Sequence, residues 1–480
     1  MGPSSGLGRT KIVATIGPAS DAPSTLVALA AAGMDVARVP MAHGTLDDAV
    51  ARVRRIRDAV PQVGIMADLP GPKIRCAAFP DGGVRLVAGS QLTLVTANEA
   101  MVSTAIEIGV CHPDLVAGLQ PGDTVALGDG GVILAVVACS GAGAEAIVHS
   151  GGLVQGRPGV TAPSGRIPIV TPTSEDLERL AAMVAEQVDM VAVSFVRTAD
   201  DIEAVRHAAG RNCPMLVAKI ETAEAVANLD GIVAVAGAVM VARGDLGVRL
   251  ALEDVPHIQK QIIRAAVRFG RPVITATQML ESMVYAPVPT RAEVTDVANA
   301  VLDGTSAVML SAETAIGADP VNVVATMARI ARRAERDFDY LGWGSGLAPQ
   351  AVAGDAFSPA RLTAATTAAG WRAAIEEEAA CIVACTRAGH TARAISRFRP
   401  SVPIVACTPS ERTARQLTVS WGVRTITLGE VASTDEIVWF AVQAVVQAGY
   451  ATAGDVVVVL AGSPTEPEPA TDTMRLVRIH

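Results

Sequence analysis

Short apolar runs rich in Val and Ile alternate with longer Ala-rich segments of helical pattern, and this alternation constrains the fold more than any other feature. Strands that alternate with helices in this way form parallel sheets. Eight such runs occur before Ser311, which is the number that a closed (β/α)₈ TIM barrel requires. The predicted strands are KIVATIG, DVARVPM, VGIMADL, DMVAVSF, MLVAKI, AVMVA, PVITAT and SAVML.

One gap between the predicted strands lacks a helical pattern. Residues 71–166 are rich in Gly, Val and Thr and carry turn signals such as PDGG and QPGDT. A structureless loop of that length would be implausible inside a barrel. We therefore predict a small β-barrel domain inserted after the third strand, so that the TIM barrel comprises residues 1–70 and 167–340.

The pattern changes again after about Ala334. The segment LGWGSGLAPQAVAGDAFSP has the composition of a linker, and strand–helix units then resume with CIVACT, PIVACT, VRTITL and DVVVVLAG. A final TMRLVRI completes the series. These runs predict a second, open α/β domain over residues 355–480.

The composition argues against several classes of partner. The formal net charge of −9 disfavours a nucleic-acid or anionic-membrane surface, and the arginines of RVRRIR (Arg52–Arg57) are expected on a solvated helix face. The seven cysteines are scattered and are expected to be reduced and buried. No apolar run is long enough to span a bilayer, and the N-terminus lacks the order of a signal peptide. We expect a soluble, cytoplasmic protein.

Polar residues fall where the predicted strands end. Arg38 lies toward the end of the second strand and Asp68 ends the third, while Lys219 and Glu221 finish the fifth. Thr277 ends the seventh, and the sequences RGDLG and SAET follow the sixth and eighth. In a TIM barrel these ends meet at one rim, where the chemistry takes place. The cost of placing charges beside apolar strands is thereby explained by a shared site.

The residue types at this rim narrow the chemistry. Glu221 and Asp245 are hard carboxylates suited to one Mg²⁺ that keeps positions for substrate oxygens. Lys219 and Arg38 add positive charge, which suits a phosphoryl group in transfer. A lone lysine at a strand end is usually a surface residue, but its coincidence with Glu221, Asp245 and Thr277 weakens that alternative. The sequence predicts a small phosphorylated acid as the substrate.

The chain resembles the pyruvate kinase family along nearly its whole length. The stretches that carry the resemblance are TKIVATIGPAS, GMDVAR, GPKIR, VAKIET, VMVARGDLGV, ITATQMLESM, PTRAEVTDVANAVLDGTSAVMLSAETA and DTMRLV. The resemblance implies a barrel, a lid domain inserted after the third strand and a C-terminal regulatory domain. It also implies a glycolytic enzyme that transfers the phosphoryl group of phosphoenolpyruvate to ADP, with Mg²⁺ or Mn²⁺, and assembles as a homotetramer.

The same resemblance implies roles for individual residues. Lys219 would stabilise the transferring phosphoryl group, Arg38 would contact phosphate, and Thr277 would order the water or hydroxyl that delivers a proton. Glu221 and Asp245 would hold the metal. The substrate carboxylate would meet the backbone of Ala242, Gly244 and Asp245, and the nucleotide would lie near His43 and Arg75.

Three residues depart from the family pattern. Pro40 and Ala42 stand where most members have an Asn and a Ser that help to hold K⁺, and Lys73 stands where most have a Glu. The third side-chain ligand, Asp68, is kept. Because two oxygens are lost and a cation is gained, we expect activity without K⁺.

The C-terminal domain offers a candidate effector loop. Thr386, Arg387, Gly389 and Thr391 are spaced to cradle one phosphate, although a plain polar loop accounts for them equally well. Glu466 and Glu468 are expected in the facing loop, where they would repel a second phosphate, so we expect no activation by fructose 1,6-bisphosphate.

Two other functions remain open. Pro40 and Ala42 are also compatible with a catalytically impaired homologue that binds metabolites or acts as a scaffold. A barrel lyase acting on oxo-acids would use a similar metal site, but the inserted domain and the ITATQMLESM run argue against it.

Overall fold

The computed structural model describes residues 8–72, 74–97, 100–128, 131–141, 143–162, 170–347, 359–429, 433–462 and 470–480. The strands are β1 (Lys11–Thr15), β2 (Val36–Pro40), β3 (Gly64–Asp68), β4 (Val84–Leu86), β5 (Gln91–Thr96), β6 (Glu107–Val110), β7 (Thr124–Leu127), β8 (Val132–Ser140), β9 (Gly143–Ser150), β10 (Gly152–Val154), β11 (Val160–Thr161), β12 (Met190–Val193), β13 (Met215–Ile220), β14 (Ala238–Ala242), β15 (Val273–Ala276), β16 (Ala307–Leu310), β17 (Cys381–Cys385), β18 (Ile404–Thr408), β19 (Val423–Thr427), β20 (Val456–Ala461) and β21 (Thr473–Arg478).

The helices lie between these strands. They are α1 (Pro23–Ala32), α2 (Leu46–Ala59), α3 (Pro113–Gly118), α4 (Ser174–Ala185), α5 (Ala199–Ala209), α6 (Ala223–Ala227), α7 (Leu229–Val235), α8 (Arg243–Arg249), α9 (Val255–Arg268), α10 (Arg291–Leu302), α11 (Ala312–Ala315), α12 (Pro320–Glu335), α13 (Tyr340–Leu347), α14 (Pro359–Glu376), α15 (His390–Ser396), α16 (Glu411–Gln416) and α17 (Thr434–Gln447).

Eight parallel strands close into a barrel in the order β1-β16-β15-β14-β13-β12-β3-β2. The predicted TIM barrel is confirmed, and each of its strands lies within one of the predicted apolar runs. Alternate strand residues fill the interior with thioether and small aliphatic side chains, among them Met66, Met190, Met240 and Met309. The other strand residues pack outward against the helices in a larger apolar cluster. This division follows from the two-residue period of a strand.

The segment inserted between β3 and α4 forms a separate β domain with its own apolar core. Its strands make a six-stranded sheet, β11-β7-β8-β9-β5-β6, and a two-stranded sheet, β10-β4. The separate β domain is as predicted, but the sheets do not close into the expected small barrel. The three-residue strands β4 and β10 pair only with each other, and bulges between β8 and β9 shift the register of the longest hairpin.

The C-terminal domain is the open α/β sheet that the sequence predicts. Its order is β19-β18-β17-β20-β21, with β21 antiparallel to β20. The predicted linker is partly wrong, because residues 340–347 form the helix α13. Trp343 explains the difference: its Nε1 donates to Arg397 O at 2.8 Å, and its ring lies 5.4 Å from that of Phe338. The rest of the expected linker, residues 348–358, lies outside the described residues.

Two expectations from composition can be compared with the structure. All seven cysteines are free, but only four are buried, while Cys111 and Cys213 are half-buried and Cys139 is exposed. Among the described helices, none combines the length and the apolarity needed to cross a membrane.

The arginines of α2 are anchored by ion pairs, and only Arg54 among them is largely exposed. Arg57 Nη2 donates to Asp189 Oδ2 at 2.8 Å, and Asp189 is fully buried just before β12. From the C-terminal domain, Arg415 Nε donates to Asp189 Oδ1 at 2.8 Å. A solvated arginine face, as expected, is therefore wrong for Arg57. Asp189 instead joins α2 of the barrel to α16 of the C-terminal domain.

Removing the charge of Asp189 should destabilise the protein, because two guanidinium groups would lose their shared buried counter-ion. We expect Asp189→Asn to lower the free energy of unfolding by roughly 3–5 kcal/mol. The matched control is Asp21→Asn, since Asp21 also bridges two arginines of α2, Arg52 and Arg55, but is 21% exposed. Its loss should be about 1 kcal/mol or less. Urea denaturation midpoints measure both, and equal losses would contradict a structural role for Asp189.

Candidate functional site

Four charged side chains meet where the barrel strands end. Lys219 points from the end of β13, and its Nζ lies 3.3 Å from Asp68 Oδ1 and 2.9 Å from Glu221 Oε1. Arg38 Nε, from β2, donates to Asp68 Oδ2 at 2.7 Å. The structure therefore brings together Arg38, Asp68, Lys219 and Glu221, which the sequence places on three different strands.

The electrostatics of this cluster keep Lys219 and Asp68 charged. Burial alone would raise the pKa of Asp68, but the adjacent Lys219 and Arg38 outweigh burial and hold that pKa below its usual value. Burial alone would lower the pKa of Lys219, but Asp68, Glu221 and Asp245 raise it above its ordinary value. A fixed ammonium thus faces the rim.

Glu221 is the least satisfied member of the cluster. Its Oε2 accepts a hydrogen bond from Phe195 N at 2.8 Å, whereas Oε1 is buried and, among the described residues, has no hydrogen-bond partner. Oε1 touches Lys219 at an angle that makes an ion pair without a hydrogen bond. Burial raises the pKa of Glu221, the nearby Lys219 opposes this, and the charge of Asp245 raises it further.

An orphaned carboxylate oxygen beside a second carboxylate fits a divalent cation. No group of three or more His, Cys, Asp or Glu residues that could bind a metal occurs in the described parts of the chain. A cation at Glu221 and Asp245 would accordingly take most of its other ligands from substrate and water. The residues present fit Mg²⁺ held in that way.

The backbone that holds Glu221 is unusual. Phe195 donates the amide to Glu221 from a left-handed conformation with φ of 55°. Gly71, also left-handed at φ 64°, lies so close that a Cβ there would approach the Phe195 ring to 2.7 Å. Gly71 is therefore required by close packing where the chain leaves the barrel for the inserted domain.

Two hydroxyl residues belong to the site although the sequence argument did not select them. Lys219 Nζ donates to Ser194 Oγ at 2.6 Å, and Ser194 donates onward to Leu69 O at 2.7 Å. Arg38 Nη1 donates to Thr15 Oγ1 at 2.9 Å, and Thr15 donates to Leu310 O at 2.8 Å. Both residues lie at strand ends, so the rule that identified Lys219 would have found them had it been applied to every strand.

Thr277 lies on the same rim, directly after β15, in strained backbone. Thr277 and Gln278 have φ values of 68° and 54°, and each such residue costs roughly 1–3 kcal/mol. Arg243 secures this turn, since its Nε donates to Ala276 O at 3.1 Å and its Nη2 to Thr277 O at 2.6 Å. Gly244 N donates to Thr277 Oγ1 at 2.8 Å, so the turn and the start of α8 are locked together.

The remaining predicted residues lie at or near this rim. Ala242 ends β14, and Asp245 is half-buried in the first turn of α8. Pro40 ends β2 opposite Asp68, and Ala42 is half-buried. His43 is exposed in the loop that follows.

The inserted domain supplies the other predicted nucleotide contact. Arg75 Nη1 donates to Arg157 O at 3.1 Å, and Arg75 pairs with Gly159 across an antiparallel bridge. Lys73 lies outside the described residues.

The predicted effector loop precedes α15. Thr386 Oγ1 accepts a hydrogen bond from Gly389 N at 2.9 Å, and Gly389 is left-handed at φ 84°. Thr391 Oγ1 is buried 2.7 Å from Thr471 Oγ1, while the Arg387 side chain is exposed. Glu466 and Glu468 lie outside the described residues. Of the four predicted contacts, the Thr391 hydroxyl is thus already engaged within the protein.

Known proteins resemble this chain over nearly its full length. The family model described as "Pyruvate kinase, barrel domain" matches residues 7–324, and "Pyruvate kinase, alpha/beta domain" matches residues 364–477. A protein named pyruvate kinase from Clostridium acetobutylicum is 38% identical over 98% of this chain and 99% of its own length. Those from Methylorubrum extorquens and Agrobacterium vitis are 39% and 40% identical, each over 98% of this chain and over 97% and 98% of their own lengths.

These matches extend through the barrel, the inserted domain and the C-terminal domain. They include the strand ends that carry Arg38, Asp68, Lys219 and Glu221. The chain belongs to the pyruvate kinase family.

Proposed function

We propose that the protein transfers the phosphoryl group of phosphoenolpyruvate to ADP, giving pyruvate and ATP. The bond between phosphorus and the enol oxygen breaks, a β-phosphate oxygen of ADP forms the new bond to phosphorus, and the enolate takes up a proton at carbon. The observation that carries the proposal is the buried ammonium of Lys219, fixed at the barrel rim among Asp68, Glu221 and Ser194.

Lys219 and Arg38 would stabilise the negative charge of the phosphoryl group during transfer. Both are held in place before substrate arrives, because Asp68 accepts from Arg38 at 2.7 Å and lies 3.3 Å from Lys219. Preorganised charges of this kind need no reorganisation during the reaction and are worth most in a site shielded from water. The inserted domain would provide that shielding by closing over the rim.

Glu221 and Asp245 would hold Mg²⁺, with Mn²⁺ as a substitute. When bound, the cation supplies a Lewis acid that neutralises charge on the phosphoryl and carboxylate oxygens. This assignment is supported by the unsatisfied Oε1 of Glu221. The backbone at Ala242, Gly244 and Asp245 would receive the substrate carboxylate, and His43 and Arg75 would lie near ADP.

Thr277 would order the water or hydroxyl that delivers the proton to the enolate. Its own hydroxyl is directed by two backbone groups: it donates to Ala276 O at 2.6 Å and accepts from Gly244 N at 2.8 Å. The strained turn therefore gives the hydroxyl one orientation, which suits protonation from a single face of the enolate.

A homotetramer is part of the proposal. Large apolar side chains are exposed on the barrel at Leu252, Tyr285 and Val288 and on the C-terminal domain at Trp439 and Phe440. Surfaces of this kind are suited to contacts between subunits.

Replacing Lys219 tests its role directly. Lys219→Met should reduce kcat at least about 10³-fold, because it removes charge stabilisation that matters most in the transition state. The matched control is Lys260→Met on α9, where the lysine is 42% exposed and pairs with Asp303. The control should keep its turnover. A loss of less than tenfold for Lys219→Met, in a folded protein, would contradict the assignment.

The metal assignment predicts a separate phenotype. Glu221→Gln should weaken Mn²⁺ binding, followed by isothermal titration calorimetry, and should raise the Mg²⁺ concentration needed for half-maximal activity. Glu224→Gln is the control, because Glu224 follows the same strand but is exposed on α6. An unchanged Mn²⁺ titration for Glu221→Gln would mean that the cation binds elsewhere.

The residues at positions 40, 42 and 73 predict activity without K⁺. Pro40 and Ala42 offer no side-chain oxygen, and both oxygens of Asp68 already contact Arg38 and Lys219. An ammonium at Lys73 would replace the missing charge. In tetramethylammonium buffer the enzyme should run at nearly its full rate, and a rise of more than about tenfold on adding K⁺ would contradict this. Lys73→Glu alone should not create a K⁺ requirement, because the two oxygens would still be absent.

The same assay separates the impaired-homologue alternative. No pyruvate formation in either buffer, from a folded protein that binds Mn²⁺, would favour a metabolite-binding role over catalysis.

A further inference from the structure

A pocket lined by four arginines lies between the TIM barrel and the C-terminal domain. Arg271 comes from the barrel, directly before β15, while Arg393, Arg397 and Arg399 come from α15 and the turn after it. Ser306, which precedes β16, and Trp421 complete the part that matters here. We call this the interdomain arginine pocket. It lies at the opposite end of the strands from Lys219 and Thr277.

The pocket concentrates positive charge without a counter-ion. No Asp or Glu lines it, and within the described residues none of its four arginines forms an ion pair. Arg271 donates to Ala234 O at 2.8 Å, and Arg399 donates to Thr305 O at 2.6 Å, so both rely on neutral carbonyl groups. Buried guanidinium groups are normally matched by carboxylates, because an unpaired buried charge is costly.

The arginines of the pocket nevertheless remain charged at neutral pH. Burial lowers the pKa of Arg397 to about 10 and that of Arg399 to about 9. Burial, together with repulsion from Arg271, lowers the pKa of Arg393 to about 10. All of these values lie well above 7, so the charges repel one another and an anion between them would relieve the repulsion.

Several donors in the pocket have no acceptor. Arg393 is 8% exposed, and its Nη1 has no hydrogen-bond partner among the described residues. The same holds for Arg397 Nε and for the indole Nε1 of Trp421, which is 2% exposed. Buried donors without acceptors are rare in folded proteins. Here three of them surround one cavity that also contains the unmatched charge.

We propose that the interdomain arginine pocket binds an oxyanion of the phosphate class, which bridges the barrel and the C-terminal domain. Guanidinium groups match the oxygens of such an anion with paired, charge-assisted hydrogen bonds. The cavity measures about 290 Å³ including its mouth, which is at or below the lower limit of ordinary ligand pockets. It suits one phosphate group, either free or at the end of a small monoester, and not a bisphosphate.

Binding can be tested on the full-length protein independently of catalysis. In phosphate-free buffer, added inorganic phosphate should raise the thermal unfolding midpoint and give a binding isotherm by calorimetry, whereas chloride at equal ionic strength should not. Glycerol 2-phosphate identifies the source: equal binding by it means that the pocket accepts a monoester, and binding by phosphate alone means that it takes the free ion. Either result supports the site.

Variants on both sides of the pocket locate the anion. Arg271→Gln and Arg397→Gln should each weaken phosphate binding about tenfold or more, because each removes a charged donor. Arg268→Gln is the matched control, since Arg268 is the nearby exposed arginine of α9 that pairs with Asp230. Arg387→Gln reports on the separate effector loop. Loss of binding in Arg387→Gln, with retention in Arg271→Gln and Arg397→Gln, would overturn the proposal.

A direct measurement does not depend on the variants folding. Crystals of the unaltered protein grown with selenate, a phosphate analogue with an anomalous signal, should show a peak between Arg271 and Arg397. A crystal saturated with selenate that shows no peak there would overturn the proposal, as would a phosphate effect no larger than that of chloride.

Discussion

Asp68 divides its two carboxylate oxygens between two cations, and the geometry of the rim depends on this. One oxygen faces Lys219 from β13 and the other accepts from Arg38 of β2, so a single buried carboxylate fixes charges supplied by strands that are distant in sequence. The cluster is stable because its charges alternate, and it is reactive because they do not balance locally. Glu221 keeps one oxygen without a hydrogen bond, which leaves the cluster ready for a further cation.

A second constraint acts through the backbone. Left-handed conformations at Phe195, Thr277 and Gln278 are costly for residues other than glycine, and all three lie beside functional groups. Each is held by neighbouring contacts: Glu221 accepts from the Phe195 amide, and Arg243 grips the carbonyl groups before and at Thr277. The strain is therefore borne by the residues that orient the chemistry, and the barrel supplies the rigidity that maintains it.

Much of this could be predicted from the sequence, for identifiable reasons. Strand period and the alternation with helices gave the TIM barrel, and the rule that strand ends converge gave Lys219, Glu221, Arg38 and Asp68 as neighbours. Ser194 was not selected, because a serine at a strand end is common and carries no signal until its partner is known. Left-handed Thr277 leaves no trace in composition.

Errors of prediction arose where long-range packing decides local structure. The helix α13 forms in a Gly-containing segment because Trp343 finds an acceptor on Arg397, more than fifty residues away. The inserted domain has the turn signals of a closed barrel, but its shortest strands pair with each other instead of closing the sheet. Arg57 looked solvated because its partner, Asp189, is on another strand.

The methionines that fill the barrel have a mechanical consequence. A thioether side chain has three rotatable bonds and no branch, so it follows small shifts of its neighbours without opening a void. Met66, Met190, Met240 and Met309 form such a filling beneath a rim that is locked by ion pairs and strained turns. The barrel is thus a stiff ring of charged strand ends over a compliant interior. Relative displacements of the strands, from whichever end they begin, are absorbed by side-chain rotation before they reach Lys219.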